Sequence, residues 1–440
     1  MRWGWAAMGL GAAVALLGYL HTRRRRRRRV LVVGSINVDL YQRTTAGSIK
    51  FSGRQVNIAP IKGMTLPASS FIAHPKIKAQ AAVGSAGGGG AEEFVLTMDG
   101  PFEQKTGGKG ANTAAAAGQT FACDLFGNMG KASERENAAL LRDLHTFGAV
   151  GTEYISVLPD CPTGTAYILL FEDNDNAILL LGGANQQWPP QEELEAVGGR
   201  LYSAISDSVA VMLQREERRT PPSHLNGCIY PVAPTSLFLV MSQVPEYVNV
   251  STARLASSLG KPVVMDCGGT DAPLDAKLMP YISVMTANES ELTFISGIDT
   301  QFDGCVQKNL VREAVGVLKS KFAATGNPRV EVLVTLGPLG SMHFGADWTV
   351  SKDIQETHIG RFALTTADGK PKDTTGAGDC YRGSFVAARY GEGRSVTDAM
   401  VWAAAASACS VEVEGAMPSM PPRAEIERRC SQSLLAVDEF

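Results

Sequence analysis

Val30-Leu31-Val32-Val33-Gly34 is an uninterrupted apolar run closed by a glycine. A strand with one wet face alternates apolar and polar residues, because successive side chains point to opposite faces. A run with no polar position instead suits a strand covered on both faces, as in a parallel sheet between helices. Comparable runs recur at 209–213, 237–241, 262–266, 282–286 and 330–336. Segments with helical patterning, such as 250–259 and 310–322, separate most of them. The alternation predicts an α/β chain with a parallel sheet covered by helices.

Working outward, Asn37 and Asp39 follow the first run at alternate positions and share a face if the strand continues. Their amide and carboxylate suit sugar hydroxyls, although such residues also make turns. Gly107-Gly108-Lys109-Gly110-Ala111-Asn112 opens an alanine-rich helix running towards Gly118. Near the other end, Asp373-Thr374-Thr375-Gly376-Ala377-Gly378-Asp379 precedes a segment that forms a helix as far as Arg389. Glycines at a helix start let unpaired N–H groups close on a phosphate, at the positive end of the helix dipole. Asp379 would not help to hold that phosphate, since like charges repel. It can serve as a general base towards an attacking hydroxyl, or be an ordinary first-turn acid.

The middle of the chain is less regular. Residues 44–106 carry little pattern and include a glycine-rich patch at 84–90, so 72–101 is expected to be an insertion. A second interruption, polar and proline-rich, follows at 215–226. Residues 166–171 and 177–181 read as a hairpin, 138–146 and 396–411 as helices, and 415–419 as a turn.

At 440 residues and a net charge of -3, the chain can bury a large core and gives no reason to expect nucleic acid as a partner. Its 8 cysteines form no CxxC pair, which suggests neither a zinc site nor a disulfide framework and suits a reducing compartment. Residues 3–20 are uncharged and precede arginines at 23–29. That is just long enough to cross a bilayer, with the arginines holding the C-terminal side in the cytosol. A cytoplasmic domain tethered through 3–29 is one expectation, and a flexible tail the other.

Seven stretches then occur in a telling order: SINVD (35–39), GGKGAN (107–112), LQRE (213–216), TANESE (286–291), TLGPLGS (335–341), DTTGAGD (373–379) and GAMPSMP (415–421). Together they resemble the phosphofructokinase-B-type, ribokinase-like carbohydrate kinases, from about residue 30 to 423. GGKGAN is similar to the ribokinase pattern rather than that of adenosine kinases or fructokinases. The resemblance implies a doubly wound, mostly parallel sheet flanked by helices, with a small β-sheet lid. It divides the chain into 1–29, a kinase domain at 30–430 with insertions near 72–101 and 217–243, and a tail at 431–440.

By the same resemblance the activity is ATP-dependent phosphorylation of D-ribose at the 5-hydroxyl. The alternatives are another sugar or nucleoside kinase of the family, or a sugar-binding pseudokinase. Asn37, Asp39, Gly108, Lys109, Asn112 and Glu216 match sugar-binding positions; Gln243 is where the interrupted LQRE motif resumes. Asn288, Thr335, Gly337 and Gly340 match nucleotide positions, and Glu291 an indirect Mg²⁺ position. Gly376, Ala377 and Gly378 match an anion hole and Asp379 the base. Asp373, Thr375, Ser410, Val413, Gly415 and Ser419 match loops that bind K⁺. Ala404 departs from the family, which often has a polar side chain near the adenine. A homodimer through the lid is implied as a candidate assembly. A nicotinamide enzyme is excluded, because Gly34-Ser35-Ile36-Asn37 stands where GxGxxG would follow the first strand.

Overall fold

The computed structural model describes residues 29–43, 48–51, 54–57, 65–67, 98–99, 103–131, 134–170, 176–214, 244–268, 274–350 and 356–434. The apolar segment and most of the arginines, the bulk of both insertions, the run at 237–241, Glu216, Gln243 and the last six residues lie outside these. No helix among the described residues is long and apolar enough to cross a membrane.

A nine-stranded sheet forms the centre. Its strand order is Glu356–Ile359, Ser341–Phe344, Glu331–Thr335, Val284–Asn288, Val263–Asp266, Ser208–Gln214, Arg29–Val33, Cys123–Gly130 and Ile155–Leu158. The pairings are parallel from Glu331–Thr335 to Ile155–Leu158, and antiparallel for the two strands at the opposite edge. Arg29–Val33 sits in the interior of the sheet, and its side chains divide cleanly. Val30 and Val32 join one core with the helices Lys109–Thr120, Ala377–Val386 and Val396–Ser410. Leu31 and Val33 join another with the helices Glu246–Ser258, Glu289–Ser296 and Lys308–Ala324. Both faces are therefore covered, as the unbroken apolar run required. Small residues allow close approach: Gly383 lies where an added Cβ would stand 2.4 Å from the Thr113 carbonyl oxygen of the neighbouring helix.

The first strand does not continue to Asp39. The chain leaves the central sheet after Val33 and starts a separate strand, Asn37–Arg43, in a five-stranded sheet. Asn37 and Asp39 still share a face, because both lie within that one new strand. The smaller sheet runs Thr65–Pro67, Asn176–Leu181, Gly164–Leu170, Asn37–Arg43 and Glu103–Gly107. It contains the expected hairpin, with Thr165 opposite Leu181 and Leu170 opposite Asn176. Part of the stretch expected to lack pattern is strand: Thr65–Pro67 and Glu103–Gly107 belong to this sheet. Met98–Asp99, within the expected insertion, pairs with Ser48–Phe51, which also pairs with Arg54–Asn57. These strands are two to five residues long, too short to show a period, and their ladders are completed by distant partners.

Candidate active site

One cavity of about 860 Å³ lies between the small sheet and the carboxyl ends of the central strands. Open parallel sheets bind ligands at that edge. Of the predicted site residues, Asn37, Asp39, Gly108, Lys109, Asn112, Asn288, Glu291, Thr335, Gly337, Gly340, Thr375, Gly376, Ala377, Gly378 and Asp379 all line it. Ala404 lines it as well. Asp373, Ser410, Val413, Gly415 and Ser419 are not among its lining residues.

The small sheet supplies the acceptor end. Asn185, fully buried, accepts from the Ile36 amide at 2.9 Å and donates to the Asn37 side-chain oxygen at 2.9 Å, which fixes the start of the strand. Asp39 is 4% exposed, and its Oδ1 has no hydrogen-bond partner among the described residues. Burial, and after it the charge of Asp379, push the Asp39 carboxyl up to about 7. Gly108 adopts φ +93 immediately before the helix Lys109–Thr120. An added Cβ there would stand 2.8 Å from the Ser35 carbonyl oxygen, so only glycine fits both the conformation and the space.

The helix Ala377–Val386 supplies the opposite wall. Gly376 caps it at φ +76, with an added Cβ 2.9 Å from Ala416 Cβ. The Ala377 amide closes the turn onto the Thr374 carbonyl at 3.2 Å, and the Cys380 amide bonds Gly376 at 2.8 Å. The next two amides, of Gly378 and Asp379, belong to the first helical turn, which has no intrahelical acceptors for its donors. Asp379, 6% exposed, stands beside them. Its Oδ1 receives Lys109 Nζ at 3.3 Å and its Oδ2 receives Asn112 Nδ2 at 3.1 Å. The Asn112 side-chain oxygen, buried, has no partner among the described residues.

The NxxE stretch also has a local task, closing a helix start. Asn288 Oδ1 accepts from the Glu291 amide, and Glu291 Oε2 from the Asn288 amide, each at 2.8 Å. This capping box opens the helix Glu289–Ser296. Beneath it lie two residues the sequence reading missed. Arg382 Nη1 meets Asp266 Oδ1 at 2.7 Å, and Nη2 meets Glu291 Oε2 at 2.9 Å. Lys109 Nζ lies 3.5 Å from Asp266 Oδ2. Burial alone would raise the Asp266 carboxyl; Arg382 and Lys109 outweigh it and hold it below the usual range. Burial likewise disfavours the Lys109 ammonium, and Asp266 and Asp379 more than restore it. One signal in the sequence was available: Asp266 is a lone acid closing an apolar strand, at the sheet edge where ligands bind.

The Asp373 carboxylate accepts from the Thr375 amide at 2.8 Å and the Gly415 amide at 2.7 Å. Asp373 N–H in turn donates to the Val411 carbonyl at 3.2 Å. These bonds tie the glycine turn to the segment carrying Ser410, Val413 and Ser419.

Residues 229–423 match the model of the pfkB family of carbohydrate kinases. Among curated proteins, the chain is similar to a ribokinase of Arabidopsis thaliana, 29% identical over 324 residues that span 73% of this chain and 70% of that protein. It is also similar to a ribokinase of Bacillus subtilis, 25% identical over 75% of this chain and 89% of that protein. Among solved structures, Arabidopsis thaliana ribokinase complexed with ribose and ATP superposes with a TM-score of 0.63, at 24% identity, over 92% of this chain and 99% of that one. At that identity the superposition speaks for the fold. This architecture, a mostly parallel sheet between helices with a separate small sheet, is the one expected from sequence.

Proposed function

We propose that this chain is a ribokinase, transferring the γ-phosphoryl group of ATP to the 5-hydroxyl of D-ribose. The observation that carries the reading is the seat of Asp379, between the orphaned acceptors of the small-sheet end and the open amides of the glycine turn. Similarity to ribokinases supports ribose as the sugar.

In this reading, sugar hydroxyls donate to Asp39 Oδ1 and Asn112 Oδ1, buried acceptors that otherwise lack partners. Asn37, Gly108 and Lys109 complete the acceptor subsite. Asp379 takes the proton from the attacking hydroxyl as its oxygen approaches phosphorus. The amides of Gly378 and Asp379, with Lys109, face the charge that spreads over the phosphoryl oxygens. Gly376 and Ala377 shape the turn; the Ala377 amide is already spent on Thr374. Thr335, Gly337 and Gly340 border the nucleotide end, where Ala404 offers an apolar contact to the base. The small sheet roofs the cavity and excludes water that would otherwise compete as acceptor.

The donor set fits Mg²⁺ arriving on the nucleotide. No cluster of acids, histidines or cysteines among the described residues forms a cage, and Mg²⁺ needs only one or two carboxylates beside the phosphates. Glu291 would hold it through water, and the ion would neutralise phosphate charge. The loops of Asp373, Thr375, Ser410, Val413, Gly415 and Ser419 offer oxygen donors that suit K⁺, which would act by bracing the glycine turn. A cytoplasmic site of action and a homodimer through the small sheet belong to the same proposal, as does a tether at residues 3–29.

The test is a screen of ribose, deoxyribose, fructose and nucleosides with ATP and Mg²⁺, the product located by ³¹P NMR. Ribose 5-phosphate should form fastest. Faster turnover of a nucleoside or another sugar moves the reading to a sister kinase, and turnover of none of them leaves only a binding protein.

A further inference from the structure

Five charged side chains meet at the floor of the cavity, and three of them, Lys109, Glu291 and Asp379, already have places in the proposed reaction. The other two are buried more deeply: Asp266 is 0% and Arg382 3% exposed. Arg382 follows Asp379 by one turn of the same helix. Its guanidinium fork spans two further elements, meeting Asp266 at the end of the strand Val263–Asp266 and Glu291 in the first turn of Glu289–Ser296. Asp266 turns its second oxygen to Lys109, which continues to Asp379. The contacts form one chain, Glu291–Arg382–Asp266–Lys109–Asp379, crossing the cavity floor.

The surroundings keep that chain tight. A Cβ added at Gly268 would stand 2.8 Å from Glu291 Oε1, 2.8 Å from Lys109 Nζ and 2.9 Å from Arg382 Nη1. One added at Gly378 would stand 3.5 Å from Arg382 Nη1, so the guanidinium lies directly against the glycine turn. Buried ion pairs are poor sources of net stability, because desolvation offsets their attraction. They do impose a fixed geometry where two arms are held at once, as Arg382 Nη1 and Nη2 are, and the planar guanidinium loses less freedom than an ammonium in doing so. Lys109, on a flexible four-carbon stem, needs such a fixed partner.

We infer that Arg382 and Asp266 are positioning residues for phosphoryl transfer: Arg382 fixes Glu291 and Asp266 against the glycine turn, and Asp266 fixes the Lys109 ammonium over Asp379. The inference rests on the sugar-kinase reading above. Catalysis of phosphoryl transfer is largely positioning and charge placement, and misplacing a group by 1 Å costs about 10²-fold.

The test uses the full chain with Arg382→Gln, Arg382→Lys, Asp266→Asn and the Arg382→Gln/Asp266→Asn pair, comparing kcat, KM and thermal midpoint. Arg382→Gln takes their shared cation from buried Asp266 and half-buried Glu291, so both midpoint and kcat should fall, kcat by about 10²-fold with KM moving far less. Adding Asp266→Asn removes one stranded charge and should restore much of the midpoint while kcat stays at least about tenfold down. Arg382→Lys keeps the charge but not the fork; it should fold and lose kcat, and it carries the test if Arg382→Gln fails to fold. Recovery of kcat together with the midpoint, or parental kcat in Arg382→Lys, overturns the inference and leaves the pair a structural brace. A parental chain that phosphorylates no sugar overturns the kinase reading first, and the inference with it.

Discussion

The two ends of the cavity are built from different materials. At the small-sheet end, side chains make the wall: Asn37 and Asp39 from one strand, with Ala166, Ile168, Ile178 and Leu180 beside them. At the far end Gly337, Pro338, Gly340 and Gly360 bring backbone against the cavity, beside Thr335 at the end of its strand. A side-chain wall recognises a pattern of hydroxyls, since an unmet buried acceptor is costly. A backbone wall lets a polyphosphate or a flat base approach closely, with less discrimination. Asp379 stands where the two meet, so the contrast can be broken most sharply there.

Asp379→Asn is expected to have the largest effect. It keeps the shape and the bond from Asn112 possible while removing proton acceptance, so turnover should fall by about 10²–10⁴-fold. Binding of ribose and of ATP, read by calorimetry, should change little. Near-parental turnover would remove Asp379 from the role of base. Next, Gly376→Ala attacks the backbone end alone. It places a side chain at φ +76 and within 2.9 Å of Ala416 Cβ. The left-handed conformation alone costs about 1–2 kcal/mol. Displacement of the turn amides should lower kcat by about 10²-fold while ribose affinity holds. If ribose binding is lost instead, the two ends are not separable.

How much of this was legible follows the same contrast. Five of the nine central strands announced themselves because burial on both faces leaves an unbroken apolar run, and Val30 to Val33 do divide between two cores; Cys123–Gly130 is equally buried, but Asp124 and Asn128 interrupt its run and it was missed. The predicted residues that line the cavity were recoverable through the resemblance of short stretches, such as GGKGAN and DTTGAGD, to a known kinase pattern. The turn out of the central sheet after Val33 was not legible, since a strand that ends and one that bends have the same alternation over so few residues. Thr65–Pro67 and Glu103–Gly107 were missed because short strands are specified by their partners across the sheet. Asn185 and Arg382 carried no local signal at all: each acts through contacts far away in sequence, Asn185 across 149 residues to Ile36 and Arg382 across 91 to Glu291.

Asn185→Ala sharpens the comparison from the side-chain end. The side chain holds both polar backbone groups of Ile36 and the Asn37 oxygen. Its removal leaves buried groups unpaired, a stability loss of about 1–3 kcal/mol visible in urea unfolding. The KM for ribose should rise and that for ATP stay put. Equal changes in both would mean that the small sheet shapes the whole cavity rather than one end.

The smallest effect is a proton. The Asp39 carboxyl is raised to about 7 by burial and by Asp379, whereas in an unfolded chain it titrates near the ordinary 3.8. Between those values the folded chain holds a proton that the unfolded chain has released, so stability should decline as pH rises through that window. Above about 7 the carboxylate is ionised in both states and the dependence ends. Hydroxyl donors from a bound sugar favour the ionised form, so ribose binding at pH 6 should release part of a proton. Calorimetry in two buffers of different ionisation enthalpy reads that release directly. Asp39→Asn, which cannot titrate, should abolish it and flatten the decline in stability below pH 7. Proton uptake on binding would mean that the sugar meets a protonated Asp39, which would then donate rather than accept. Nucleotide binding, at the backbone end, should show no Asp39-dependent proton at all, and a proton there would couple the two ends through Asp379.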